Sequence, residues 1–218
     1  MKKYHKIQTV YLRDPKNNYK TLIEGSWAKP EFKLLKDIDW ICTEKINGTN
    51  IRIMWDGKNV RFGGKTDNAQ IPTILIKVLQ DTFNYQVMKN CFPDTHLSTS
   101  SNVCLYGEGY GKKIQKGENY LPNRADFILF DIKIGNWWLT RESNKDIATK
   151  LNIKIVPSVG ICNLERAIEV VKNSFKSLIA NNKEYIAEGL VMKPKEELFN
   201  RRGDRIITKI KHKDFLIQ

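Results

Sequence analysis

A strand, a tight turn and a second strand are written into TEKINGTNIRI, Thr43 to Ile53. Upstream, Trp40, Ile41 and Cys42 form an apolar strand end; beyond the Asn-Gly turn signal, Ile51, Ile53 and Trp55 resume an alternating pattern. Lys45 stands at the inner end of the first strand. There its stem would be packed and its amine partly desolvated, which favours a lowered pKa and a usable nucleophile. The same residues also describe an ordinary hairpin with a solvated lysine beside its turn, so support has to come from elsewhere in the chain.

At 218 residues the chain can bury a proper core, and a single compact domain over 1–218 is expected. Lysine and arginine outnumber acidic residues 37 to 24, a formal charge of +13 that points to a polyanionic partner, nucleic acid first. No apolar run approaches a bilayer span, and no basic amphipathic helix dominates, so a membrane partner is set aside. Cys42, Cys91, Cys104 and Cys162 are widely spaced and form no zinc pattern. The basic N-terminus, MKKYHKIQTVYL, lacks the apolar segment of a secretory signal, and the chain reads as cytoplasmic with reduced thiols.

In chain order, KIQTVYLRDPKN is a strand entering a turn at Asp14 and Pro15, and MWDGKNV is a hairpin turning on Asp56 and Gly57. RFGGKTDNAQIP is a glycine-containing basic loop with Arg61 and Lys65, able to approach a phosphate but equally a plain loop. Helical spacing predicts one core-facing helix from Ile71 to about Asn90, and HLSTSSN, residues 96–102, reads as a surface loop. VCLYGEGYG is a short strand running into Glu108, either a turn charge or a carboxylate placed for a ligand or metal. Lys112, Lys113 and Lys116, interleaved with Tyr110 and Tyr120, suit a nucleic-acid backbone or a solvated loop.

FILFDIKI is a nearly continuous apolar strand broken by Asp131, which needs a lysine, a backbone amide or a metal as partner. After an NWWL strand, Ser143 and Asp146 resemble a capping pair for a short helix over Lys145 to Leu151, followed by an IKIVPSVGI strand. A second amphipathic helix is expected from about Leu164 to Ile179. In YIAEGLVMKPKEE, Glu188 lies within an otherwise apolar strand. Finally RIITKIKHKDF puts Thr208 and Ile210 on one face and Lys209, Lys211 and Lys213 on the other, which fits phosphate binding or a protected edge strand.

Taken together and in order, these segments resemble the motif series of the covalent nucleotidyltransferases, the superfamily of ATP-dependent RNA and DNA ligases and mRNA capping enzymes. EKINGTN is similar to the nucleophile motif, in the KxxGTN form of RNA ligases; LYGEGYG is similar to motif III, FILFDI to motif IIIa, EGLVMKP to motif IV and ITKIK to motif V. The resemblance is strongest to small phage or bacterial forms of the RNA ligase 2 type. In that family a C-terminal domain commonly follows, whereas this sequence stops soon after motif V, so a separate partner supplying that function is an expectation.

The resemblance implies an α+β adenylation domain of twisted, mainly antiparallel sheets flanked by helices, with ATP in a groove between sheets. It implies that Lys45 attacks ATP to form lysyl-AMP, that Glu188 holds Mg2+ or Mn2+, and that Lys209 and Lys211 hold the α-phosphate. Glu108 would contact the ribose or the metal shell, Phe130 or Phe127 would stack on adenine, and Asn50 would position the phosphate. Lys65, or Arg61 in its place, would meet the 5′-phosphate end, and backbone around Glu44 and Ile46 would read the adenine edge. AMP would pass to the 5′-phosphate of an RNA or nicked polynucleotide, and a 3′-hydroxyl would displace it. A DNA nick ligase, a capping-type guanylyltransferase and an inactive nucleic-acid-binding module are the alternatives.

Overall fold

The computed structural model describes residues 3–93 and 102–216. Most of the predicted 96–102 loop therefore lies outside the described residues. The chain divides into two compact units, one of Met1–Tyr4 with Asn47–Val156, the other of His5–Ile46 with Pro157–Gln218.

The unit that contains Lys45 is built on a five-stranded sheet. Its strands are β1 (Gln8–Thr9), β4 (Trp40–Glu44), β11 (Ser158–Cys162), β12 (Gly189–Pro194) and β13 (Thr208–Lys211), in the order β1-β13-β12-β4-β11. All neighbours are antiparallel except β1 and β13. A ribbon of β2 (Tyr11–Arg13) and β3 (Leu22–Trp27) and a short helix α1 (Pro30–Leu34) complete the N-terminal part. Between β2 and β3, Asp14 accepts from the Lys16 N–H and caps a 3-10 turn at Pro15–Asn17, as the Asp-Pro signal predicts.

Helix α5 (Leu164–Lys172) buries Leu164, Ala167, Ile168 and Val171 against one sheet face, where Trp40, Cys42, Leu190, Met192 and Ile210 meet it. The predicted helix to Ile179 is too long. Asn163 caps the start, but Asn173 closes the end and Ser174 turns left-handed at φ +57, so residues beyond leave the helix. Because β13 is paired on both sides, the protected-edge reading of its lysines is excluded. Lys213 falls in a 3-10 turn, His212–Asp214, rather than on the strand.

The other unit carries a six-stranded sheet. β10 (Lys154–Ile155), β8 (Ala125–Ile134), β7 (Val103–Gly111), β5 (Thr49–Trp55) and β6 (Val60–Gly63) follow one another, and β9 (Trp137–Trp138) pairs with β8. Asp56 accepts from the Lys58 and Asn59 N–H groups, and Gly57 at φ +89 completes the predicted β5–β6 turn. The long helix expected from Ile71 is two helices, α2 (Thr73–Thr82) and α3 (Tyr85–Cys91), because Asn84 caps a new start by accepting from Val87 N–H. Helix α2 lacks a side-chain cap. Its buried Leu75 and Leu79 contribute about 1.5–3 kcal/mol each, which outweighs the roughly 1 kcal/mol of a missing cap.

Helix α4 (Arg141–Lys150) begins earlier than predicted, capped by Thr140 rather than by Ser143. The IKIVPSVGI strand is split between β10 and β11 on either side of Pro157. Ile51, Ile53, Leu105, Phe127 and Leu129 pack on the helical layer through one face of the six-stranded sheet.

Candidate active site

Strand β4 alternates Trp40, Cys42 and Glu44 toward the core face, so the next residue, Lys45, emerges on the opposite face. Its backbone N–H donates to the Gly189 carbonyl at 2.9 Å. On that face Lys45 Nζ lies 2.5 Å from Glu188 Oε2, and Lys211 Nζ lies 2.7 Å from Glu188 Oε1. The three side chains are only 12–20% exposed. Glu188 itself immediately precedes β12 instead of lying within it, and its carbonyl accepts from His212 N–H.

Burial alone would raise the Glu188 pKa, but the charges of Lys45 and Lys211 and their hydrogen bonds outweigh it and hold the carboxyl below its ordinary value. Lys209, on the same face of β13, behaves oppositely. Desolvation, then the positive charges of Lys45, Lys211 and Arg13, push its ammonium down to about 8, with Glu188 only partly opposing them. One carboxylate thus faces three lysines, and the surplus positive charge makes this sheet face an anion site.

Two neighbours fix the cluster. Gly189 has φ +149, and a Cβ there would sit 2.0 Å from the Ile210 carbonyl oxygen, so only glycine lets β12 approach β13 beside Lys211. Glu44 is buried on the core side, where Ser177 Oγ donates to Oε1 at 2.5 Å and Leu178 N–H to Oε2 at 2.8 Å. Desolvation raises its pKa despite those bonds. The residues expected to end the second helix are thus used to cap the carboxylate next to Lys45. Ile46, buried, leads out of the unit.

In the other unit, Asn50 on β5 and Glu108 on β7 are directly opposite each other, on the sheet face away from the helices. β7 runs on to Gly111, so Glu108 lies inside a strand and not at its end. Asn50 Oδ1 is buried without a hydrogen-bond partner. Gly48 is required by a close approach, since a Cβ would meet the Gly109 oxygen at 2.2 Å.

The two phenylalanines separate clearly. Phe127 is buried in the core, edge-on to Phe83 at 5.4 Å. Phe130 is half-buried at a register shift between β7 and β8, a bulge of the kind that re-aims a side chain. Tyr4 packs on it edge-on at 5.0 Å and donates its hydroxyl to Asp131 Oδ2 at 2.5 Å. One partner of Asp131 is therefore a phenol from 127 residues away, a kind of partner the sequence did not suggest.

Lys65 is exposed in a loop braced by the buried Arg52, which donates to Gly64 O at 2.9 Å and pairs with Asp67 at 2.7 Å. Arg61, its alternative, is tied back to Asp56 at 2.7 Å. Tyr120, after the KKIQK lysines, accepts from the Asn47 N–H at 3.2 Å. Tyr4, Ser177 and Arg52 escaped sequence reading because their roles are set by distant partners. Only the burial of Arg52 in an alternating strand offered a signal.

Among the described residues no group of three or more His, Cys, Asp or Glu is gathered as for a closed metal site. No helix there is long and apolar enough to cross a membrane.

Solved structures of Naegleria gruberi RNA ligase variants share this fold. One with ATP and manganese has a TM-score of 0.64 at 20% identity, over 85% of this chain and 54% of that one. An apo form gives 0.65 at 18%, over 96% and 56%, and a form with AMP and manganese gives 0.64 at 18%, over 94% and 56%. The chain thus spans about half the length of the structures it matches. At these identities the likeness is one of fold. The RNA ligase family model matches residues 38–211, from before β4 to the end of β13, and this chain belongs to the RNA ligase family.

Proposed function

We propose that the chain is the adenylation domain of an ATP-dependent RNA ligase, with Lys45 as the nucleophile. The observation that carries this reading is the grip of Lys45 and Lys211 on the two oxygens of Glu188, with Lys209 beside them. Such a cluster has the charge to hold a polyphosphate and a lysine positioned within it. The family match and the ATP- and AMP-bound Naegleria structures support the same choice of nucleotide.

In the proposed reaction Lys45 first loses its proton to solvent. The freed lone pair attacks the α-phosphorus of ATP; the P–N bond forms as the bond to the bridging oxygen breaks, and pyrophosphate leaves with that electron pair. Lys209 and Lys211 hold the α-phosphate oxygens through the transition state. Glu188, an ionised hard-oxygen donor, would hold a magnesium or manganese ion, with Glu108 the second candidate. Bound there, the ion supplies charge that neutralises phosphate oxygens.

Asn50, Lys65, Glu108 and Phe130 are assigned to the nucleotide or the 5′-phosphate by motif position, as is backbone at Glu44 and Ile46. The unsatisfied Asn50 Oδ1 supports a ligand near it. Phe130 is preferred to Phe127, which packing commits to the core. Both units are assigned to one adenylation domain, residues 1–218, on motif order. In the second step a 5′-phosphate oxygen attacks the lysyl-AMP phosphorus and Lys45 departs; a 3′-hydroxyl then attacks the activated 5′-phosphate and AMP leaves. The substrate is RNA or a nicked polynucleotide, consistent with the charge of +13. A cytoplasmic setting belongs to the same proposal, supported by four free cysteines.

Incubation with α-labelled ATP and magnesium is expected to label the protein, and Lys45→Ala to abolish the label. A folded wild-type protein that stays unlabelled would end this reading.

A further inference from the structure

The segment joining β12 to β13, residues 195–207, takes no part in the ion-pair cluster, yet it is tightly built. At its base the Arg205 side chain, 2% exposed, forks onto Glu197, Nε to Oε1 at 2.5 Å and Nη2 to Oε2 at 2.6 Å. Near the tip Asn200 Oδ1 accepts from both the Arg202 and Asp204 N–H groups at 2.9 Å. Backbone bonds from Asn200 N–H to Asp204 O and from Gly203 N–H to Asn200 O, with Gly203 at φ +75, close the turn.

The rigid turn displays an uncommon set of side chains. Arg201 and Arg202 are exposed, and among the described residues neither guanidinium has an ion-pair or hydrogen-bond partner. Phe199 beside them is 50% exposed, and Lys195 is exposed at the hairpin's start. One arginine of three is spent on bracing, and the other two are presented. Forked, weakly hydrated guanidinium groups next to an open aromatic ring suit phosphate oxygens and a base face together.

Position gives the hairpin its meaning. β12 runs six residues from Gly189 to Pro194, roughly 20 Å at about 3.3 Å per residue. Alternation from Gly189 puts Val191 and Lys193 on the face that carries Lys209 and Lys211, and the exposed Lys195 follows just past the strand end. A basic line therefore leads from the Glu188 cluster toward Arg201 and Arg202. At about 3.4 Å per nucleotide β12 alone spans roughly six nucleotides, and the hairpin begins beyond its far end.

We propose that the Lys195–Arg205 hairpin grips the phosphodiester backbone of the polynucleotide substrate, away from the reacting ends. This rests on the polynucleotide-ligase reading above. It adds a substrate contact that acts on binding and not on the chemistry of ATP.

The test compares wild type with Arg201→Ala/Arg202→Ala on nicked RNA duplexes with arms of about 12 and about 4 base pairs, across a salt series. The long duplex is expected to bind about tenfold more weakly to the variant, with the slope of log affinity against log salt shallower by about 2. The short duplex should bind both proteins alike. Arg201→Lys/Arg202→Lys should recover the slope but only part of the affinity, and Phe199→Ala should weaken binding at unchanged slope.

Labelling by ATP is the fold control for each variant. Unchanged affinity and slope for the long duplex, or equal weakening of long and short, would overturn the hairpin's role. Wild-type protein that labels but binds no duplex also overturns it, while protein that binds duplex yet takes no label overturns the ligase reading instead. If an acidic protein is the true partner, the arginine variants keep their duplex affinity, and the proposal falls.

Discussion

Lys45 Nζ and Glu188 Oε2 are 2.5 Å apart, and the second oxygen of the same carboxylate holds Lys211 at 2.7 Å. The nucleophile proposed for this chain is thus stored as half of an ion pair. Glu188 orients its amine, while the surplus of lysines around it keeps a place for phosphate.

Replacing Glu188 with glutamine keeps the shape and removes the charge. Lys45, Lys209 and Lys211 then face one another without a carboxylate, and unfolding free energy is expected to fall by about 1–3 kcal/mol near neutral pH. Covalent labelling should drop about 100-fold or more. Because the folded pKa of Glu188 lies below its ordinary 4.5, its contribution is complete above that value and fades as pH falls through the lower one. Urea melts of both proteins on descending pH should therefore converge below pH 4.5.

Lys209 has the opposite sign. Its pKa, lowered from 10.5 to about 8, means that the folded state carries an unfavourable charge at neutral pH. Lys209→Met is expected to stabilise the fold by about 1 kcal/mol near neutral pH, less than full conversion of the shift since the side chain keeps some solvent. As pH rises from 8 toward 10.5 the wild-type lysine loses its proton more readily folded than unfolded, so wild type gains and the gap closes. The same variant should lose most of its covalent labelling, a trade of function against stability.

Local periodicity made much of this site legible. Period-two alternation correctly separated Lys209 and Lys211 from Thr208 and Ile210, and the Asp56-Gly57 turn formed where its residues said it would. What the sequence hid depends on contacts between distant segments. The left-handed turn at Ser174, which ends α5 early, has no signal in an apolar pattern that continues to Leu178. The Tyr4–Asp131 pair spans 127 residues and the Ser177–Glu44 pair 133. Phe127 and Phe130 look alike in a string of letters, and a β-bulge tells them apart.

Gly189→Ala tests how closely the sheet must pack behind the cluster. The new methyl would meet the Ile210 oxygen at 2.0 Å and Lys211 Cα at 2.8 Å, on a backbone held at φ +149. Neither contact is with a flexible side chain, so β13 must shift and carry Lys211 with it. A loss of about 2–4 kcal/mol in stability is expected, with labelling reduced more than tenfold in protein that remains folded. Cα chemical shifts confined to β12 and β13 would show that the damage is local.

Ser177→Ala reaches Lys45 through its neighbour. Glu44 already has a raised pKa because it is buried, and Ser177 Oγ and Leu178 N–H donate hydrogen bonds to its two oxygens. Losing the hydroxyl should push that pKa further up and lower stability by about 1–2 kcal/mol near neutral pH. A raised carboxylate pKa means the folded state takes up a proton more readily than the unfolded one, so the deficit should shrink as pH falls through the raised folded values, before it reaches 4.5. Glu44→Gln keeps an acceptor and abolishes the charge, and in that background Ser177→Ala should lose its pH dependence. Since Lys45 directly follows Glu44 at the end of β4, loosening Glu44 is expected to lower the labelling rate at Lys45 by about threefold to tenfold, and Glu44→Gln should leave it closer to wild type.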